Sequence, residues 1–326
     1  MPRIVMVTGC IRSGTTAVGA NMALAPGARY LYEPFNYNAG MTVISRFFEV
    51  PGTDGFPMSR FDACVDDIRG LRLTLKPGLF KRDRGLRRLV KTVIGGRNRL
   101  TYLACRLDWR LRTLIWKDPI AVFAARAVAE RHGIPVLATT RTPMAVAASV
   151  KRMGWAYPLE DLDRRLASLG VAADPMVARY RDRLDRPAIN GALLWRLVYT
   201  HLVSWSRSSP LIRLVDVQDI IDRPLDTYRG LYRLYGLEWT AAVEGRLARR
   251  YGRRSDGDGA AALPQRAHVS KRDLSKINVY GRELLTDEEI AAIDDIAEDL
   301  WPAVKAACLT RQDLDRGTTG TPLAAA

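Results

Sequence analysis

The chain reads as an α/β protein in which a central parallel sheet is flanked by helices. Two observations carry that expectation. Short apolar runs alternate along most of the chain with amphipathic stretches, the rhythm of βαβ units. The first apolar run, RIVMVT, empties into a turn carrying Gly9 and Gly14 and then a helical pattern. No repeat of fixed period interrupts the alternation.

The elements follow in order. Arg3 to Thr8 is expected as a buried strand and Thr15 to Ala25 as the helix after it. Arg29 to Glu33 reads as a second strand, stopped by Pro34, because the residue before a proline is pushed out of helical backbone. Leu114 to Lys117 is a third strand, followed by a helix from Ala121 to His132 that Gly133 closes. Ile134 to Thr140 is a fourth strand with a helix after Arg141, and Leu211 to Val217 a fifth. Long helices are expected over Ile189 to Trp205 and Asp287 to Ala307. A single domain over 1–310 fits this layout, with 41–112 as a basic insertion or lid and 311–326 as a disordered tail that has nothing to pack.

Composition narrows the partners. With 326 residues, 48% hydrophobic and 26% charged, the chain is an ordinary globular one, and 25 Gly, 17 Pro and 4 Cys exclude collagen-like, disordered and disulfide-scaffold classes. Fifty Lys and Arg against 35 Asp and Glu leave a net charge of +15, which favours anionic partners. Cys10, Cys64, Cys105 and Cys308 are scattered without zinc-like spacing, so they are expected as reduced thiols in a cytoplasmic protein. The N-terminal apolar stretch is too short for a signal peptide, and no run approaches the roughly 20 residues of a membrane span.

The first turn is the most informative segment. A glycine-bearing turn between a strand and a helix N-terminus aims backbone N–H groups and the positive end of the helix dipole at one point, which makes an anion site. In Gly9-Cys10-Ile11-Arg12-Ser13-Gly14-Thr15-Thr16 the glycines stand at the spacing of the P-loop GxxxxGK[ST], but Thr15 takes the place of that loop's Lys. A kinase or ATPase without this Lys lacks the cation that reaches the β and γ phosphates. Arg12 puts a cation inside the turn instead. The competing reading is a mere tight turn.

VTGCIRSGTT resembles the 5′-phosphosulfate loop of the sulfotransferases that use 3′-phosphoadenosine 5′-phosphosulfate (PAPS). Arg141-Thr142-Pro143, with Ser149 in AVAASVKRMGW, resembles the family's 3′-phosphate motif, where a strand-end Arg and a Ser on the next helix grip the nucleotide. The residues suit that role: a planar guanidinium binds phosphate through two hydrogen bonds, and Pro143 fits a first helical turn. The alternatives are a surface ion pair for Arg141 and a small helix-packing residue for Ser149. Two later segments, IRLVDVQDIIDRPLDTYRGLYRLYGLEWT and SKINVYGRELLTDEEIAAIDDIAEDL, resemble the terminal region of bacterial members. The resemblance implies a P-loop-type fold, PAPS as co-substrate and no metal. It further implies cofactor contacts from Arg12, Ser13, Gly14, Thr15, Thr16, Arg141, Ser149 and, in the closing loop, Lys276.

Sulfuryl transfer to a hydroxyl needs charge neutralisation on the leaving oxygen, for which Arg12 and the turn amides are placed, and a base. Glu33, at the end of strand two, is expected at the sheet edge where open α/β sheets bind ligands. Tyr-Leu-Tyr-Glu-Pro-Phe resembles the Glu-Pro segment of carbohydrate sulfotransferases, which implies Glu33 as base and a sugar or glycolipid hydroxyl as acceptor. The alternative is a carboxylate that pairs a loop arginine such as Arg12. Asp118 in Trp-Lys-Asp-Pro is the second candidate base, at the place where cytosolic members carry a catalytic His. Lys117 is read as a contact to the bridging oxygen or acceptor, or as a capping or surface residue. His132, His201 and His268 read as structural.

The segment from Leu71 to Arg112 holds 13 Lys or Arg against 2 Asp, a net of +11. Basic residues interspersed with Leu79, Phe80, Leu89, Val90 and Trp109 suit an amphipathic helix at the inner face of a membrane, with a solvated lid as the alternative. Nucleic acid is disfavoured, since no helix-turn-helix, RRM or zinc pattern accompanies the charge. Two rival functions remain: a P-loop nucleotide kinase or NTPase, and a catalytically silent nucleotide-binding adaptor.

Overall fold

The structure is a computed structural model that describes residues 1–77, 96–252 and 282–316. The chain runs through β1 (Arg3–Gly9), α1 (Thr15–Met22), β2 (Ala28–Tyr32), α2 (Met58–Arg69), α3 (Arg97–Arg106) and β3 (Thr113–Lys117). It continues with α4 (Ala125–His132), β4 (Val136–Thr140), α5 (Pro143–Met153), α6 (Leu159–Ala167), α7 (Pro175–Arg179), α8 (Pro187–Ser208) and β5 (Ile212–Asp216). Beyond the sheet come α9 (Val217–Asp222), α10 (Pro224–Leu234), α11 (Ala241–Tyr251), α12 (Asp287–Ala297), α13 (Trp301–Ala307) and α14 (Arg311–Arg316).

The five strands form one parallel sheet in the order β2-β3-β1-β4-β5. Alternate residues of each strand face opposite sides, and both sides are covered. Ile4, Met6, Trp116 and Ala138 pack with α5 and α8 in one apolar cluster; Val5, Val7, Ile115 and Leu137 pack with α1, α10 and α11 in the other. That is why the central strands read as unbroken apolar runs rather than alternating ones. The segment 41–77 joins the first cluster through Ile44, Phe48, Phe56, Phe61, Val65 and Ile68, so this part of the expected insertion is core. The basic stretch 78–95 lies outside the described residues.

Two expectations are corrected. The helix expected over Asp287 to Ala307 is two helices, because Pro302 has no N–H to donate and its ring would clash with the carbonyl four residues back. The tail does find something to pack: α14 places Leu314, 6% exposed, against Gly230, where a Cβ would come within 2.7 Å of the Leu314 Cβ. Residues 317–326 lie outside the described residues.

The order of strands creates the edge where the site lies. β1 connects toward β2 on one side, whereas β4 continues to β5 on the other, so the chain reverses its winding between β1 and β4. Their carboxyl ends meet at the pairing of Gly9 with Thr139. In open α/β sheets such a reversal leaves a crevice for ligands. Gly9 is required there: its φ is 134°, and an added Cβ would sit 2.4 Å from the Thr139 carbonyl oxygen and 2.9 Å from Ser13 Oγ. Gly9→Ala is therefore expected to cost at least about 2 kcal/mol from backbone strain and overpacking. A fall in the urea midpoint at unchanged slope would report it, and an unshifted midpoint would refute it.

Candidate functional site

Four strand ends supply the site. From β1, Gly9 leads into a turn in which Arg12 has φ 73° and Gly14, at φ 91°, caps α1. A Cβ on Gly14 would lie 2.9 Å from Val217 Cγ2, so the start of α9 holds the turn closed from the far side. Ser13 is fully buried: its Oγ donates to the Cys10 carbonyl at 2.6 Å and lies 2.9 Å from Thr139 Oγ1. Tyr199 from α8 donates to the Thr139 carbonyl at 2.8 Å. The side chain of Ser13 is thus a buried tie between the turn and β4. Thr15 and Thr16 begin α1, where first-turn amides have no helical acceptor. Thr15 is buried, at 4% exposure.

From β4, Arg141 and Ser149 come into contact with the turn. Arg12 Nε donates to Ser149 Oγ at 2.9 Å, across 137 residues of sequence, and Arg141 donates to the Arg12 carbonyl at 3.3 Å. The backbone that carries them is fixed locally. Thr142 caps α5 by accepting from the Ala145 amide, Pro143 occupies the first turn, and Trp195 Nε1 donates to the Arg141 carbonyl at 2.9 Å. The Trp155 ring lies 5.9 Å from the Arg12 guanidinium, in a cation–π contact that sequence reasoning did not find. Its signal was available: an aromatic residue one place past the glycine that ends α5. Lys276 lies outside the described residues, as do Leu79, Phe80, Leu89, Val90 and His268.

From β2 and β3 comes a buried ion pair. Lys117 ends β3 between Val7 of β1 and Tyr32 of β2, is 2% exposed, and contacts Glu33 Oε1 through Nζ. Glu33 Oε2 accepts from Asn36 Nδ2 at 2.7 Å, and Asn98 of α3 donates to the Glu33 carbonyl at 2.8 Å. The partner of Glu33 is therefore Lys117 and not Arg12, and Lys117 is not a surface residue. Burial pushes the Glu33 carboxyl up, but the Lys117 charge and the hydrogen bonds from Lys117 and Asn36 outweigh it, leaving the group below its ordinary range. Burial pulls the Lys117 ammonium down, against the Glu33 charge. The carboxyl held low is the form that accepts from Lys117 Nζ.

Asp118 is committed elsewhere. It is fully buried and accepts from the Phe35 amide at 2.6 Å and from the Ile120 and Ala121 amides at 3.1 and 3.2 Å. Burial and the neighbouring Glu33 push its carboxyl up to about 7, against the Phe35 hydrogen bond. With both oxygens holding loop backbone, Asp118 shapes the segments after β2 and β3. His132 lies 2.9 Å from an Asp62 carboxylate oxygen, and His201 stacks on Trp205 at 5.2 Å, so both have structural partners. The four cysteines are buried and free.

Two of the four non-glycine residues with positive φ among the described residues are Arg12 and Glu33 (φ 44°). Backbone strain of this kind costs on the order of 1–3 kcal/mol and collects at functional sites. A cavity of about 720 Å³ lies elsewhere, at the amino ends of β2 and β3, lined by Gly27, Arg29, Trp109 and Arg112. Among the described residues no group of three or more His, Cys, Asp or Glu could hold a metal ion, and no helix is long and apolar enough to cross a membrane.

Fold and site together define an α/β protein with a glycine-bearing turn, two arginines and a buried Lys–Glu pair at the carboxyl ends of a five-stranded parallel sheet. No protein-family model matches the chain, and no curated protein does.

Proposed function

We propose that the chain is a P-loop-type sulfotransferase that moves the sulfuryl group of PAPS to an acceptor hydroxyl, of a sugar or glycolipid. The observation that carries this reading is the contact between Arg12 and Ser149, which joins the two segments that resemble the 5′- and 3′-phosphate motifs in one crevice. A nucleotide carrying phosphate at both ends of its ribose requires that adjacency; an ATP site does not.

In the proposed step the acceptor oxygen forms a bond to sulfur while the bond from sulfur to the bridging phosphate oxygen breaks. That electron pair leaves with adenosine 3′,5′-bisphosphate. Arg12 and the first-turn amides of Thr15 and Thr16 neutralise the leaving oxygen, as preorganised donors do for developing charge. Glu33 is ionised at neutral pH and takes the hydroxyl proton. Lys117 and the hydrogen bond from Asn36 keep it ionised and oriented.

Calorimetric titration with adenosine 3′,5′-bisphosphate, ATP and ADP, without added metal, tests the reading. The bisphosphate is expected to bind tightest, and Arg141→Ala to weaken it about 10- to 100-fold, the loss of one charge-assisted contact of roughly 1.5–3 kcal/mol. If ATP with magnesium binds better than the bisphosphate, the kinase or NTPase reading replaces this one. If the bisphosphate binds but no acceptor is turned over with PAPS, the chain is a nucleotide-binding adaptor.

A further inference from the structure

Helix α3 has two apolar faces. Its inner face packs along the edge strand: Asn98 donates to the carbonyls of Tyr32 and Glu33, the Tyr32 amide donates to Thr101 Oγ1, and Tyr102 and Cys105 are buried. On the opposite side Leu100 and Leu103 stand 50% and 36% exposed, and the stripe continues past the helix end into Leu107 and Trp109, at 77% and 85%. Spacings of three and then four residues put Leu100, Leu103 and Leu107 in one row. At 100° per residue Arg97 flanks that row on one side and Arg99 and Arg106 on the other.

An outward leucine row is unusual for a helix that is already packed, since one face suffices to bury it. Its charge environment says what it fits. Asp108 is the one acidic residue between 96 and 112, and it is paired with Arg29 at 2.7 Å. Among the described residues Arg97, Arg99, Arg106, Arg110 and Arg112 form no ion pair; Arg97 lies over the Tyr32 ring and Arg110 over the Trp109 ring at 4.6 Å. At the end of the row opens the cavity of about 720 Å³, with the Arg29–Asp108 pair and also Arg110 and Arg112 on its wall beside Trp109, a net of two positive charges.

We infer that this face is a docking surface for an anionic lipid bilayer. The leucine row and Trp109 enter the interface, the flanking arginines meet lipid phosphates, and the arginine-lined cavity seats a headgroup. Apolar residues in a row, cations on both flanks and an aromatic residue at the boundary are what an interfacial helix needs. A soluble acidic partner would complement the arginines and leave Leu103 and Leu107 in water. The inference does not depend on which group the site transfers.

Vesicle flotation of the full chain tests it, with phosphatidylcholine alone and with phosphatidylglycerol added. Binding to the anionic vesicles is expected to exceed binding to neutral ones at least tenfold and to weaken as salt is raised. Leu103→Asp with Leu107→Asp, both on exposed positions, and Arg99→Glu with Arg110→Glu should each lower it at least tenfold. Trp109→Phe should remove the blue shift of tryptophan emission on adding vesicles. No flotation of the unaltered chain, equal binding to both lipids, or full binding by the leucine variant would overturn the inference. So would a concentration-dependent dimer by light scattering that the leucine variant abolishes without any vesicle binding, because the face would then belong to a second copy.

Discussion

Lys117→Met is expected to destabilise the protein by about 3–5 kcal/mol, the range found when one member of a buried ion pair is removed and the other charge is left alone. The methionine fills nearly the same volume, so the loss is electrostatic: Glu33 keeps only neutral hydrogen-bond partners, Asn36 and Tyr32, in a site that is 7% exposed. The effect should depend on pH with a defined sign. With Lys117 present the folded-state Glu33 sits below its ordinary value, so its stabilisation is present above the unfolded value of 4.5 and is lost as pH falls. Without Lys117, burial, the largest influence, outweighs the remaining hydrogen bonds from Asn36 and Tyr32 and raises the folded-state group. Its contribution is then fully present below 4.5 and is lost as pH rises. The gap between variant and wild type should narrow in acid. Glu33→Gln with Lys117→Met should recover most of the loss, since no buried charge remains. Urea midpoints at acid and neutral pH check all three, and a gap that is constant with pH would mean the cost is packing instead.

Arg12→Ala is expected to lower turnover at saturating PAPS by on the order of 10²–10³, the typical effect of deleting one donor aimed at developing charge. Alanine carries the same Cβ penalty at φ 73° as arginine, so the turn's strain is unchanged and the fold should persist. Arg12→Lys should recover little, because an ammonium cannot both contact Ser149 Oγ and bind an anionic group through two parallel hydrogen bonds. Product formation from PAPS with a panel of hydroxyl acceptors, alongside the thermal midpoint of each variant, decides the matter. Wild-type turnover and wild-type nucleotide affinity in Arg12→Ala would remove Arg12 from the site.

The parts of this molecule legible in residue order are those set by local chemistry. Buried strands announce themselves as apolar runs, and all five expected strands are present within one or two residues of their expected ends. The turn after β1 is legible because its two glycines directly precede a helix start, where local backbone geometry calls for positive φ. Arg141, Pro143 and Ser149 are legible because a helix cap and one helical face fix them. The break at Pro302 was readable too, from the missing N–H, and so was the buried status of Lys117, which follows the apolar run Leu-Ile-Trp in β3.

Other features depend on which strand lies beside which. Glu33 meets Lys117 across 84 residues only because β2 and β3 are neighbours, and Asn98 reaches Glu33 only because α3 lies along that edge. Arg12 touches Ser149 because β1 pairs with β4 rather than with β2. Periodicity records which face of an element is apolar. It does not record the partner of that face, since any covered sheet edge satisfies the same hydrogen bonds and buries the same area. Strand order, the Lys117–Glu33 pair and the outward row on α3 were settled when the sheet assembled.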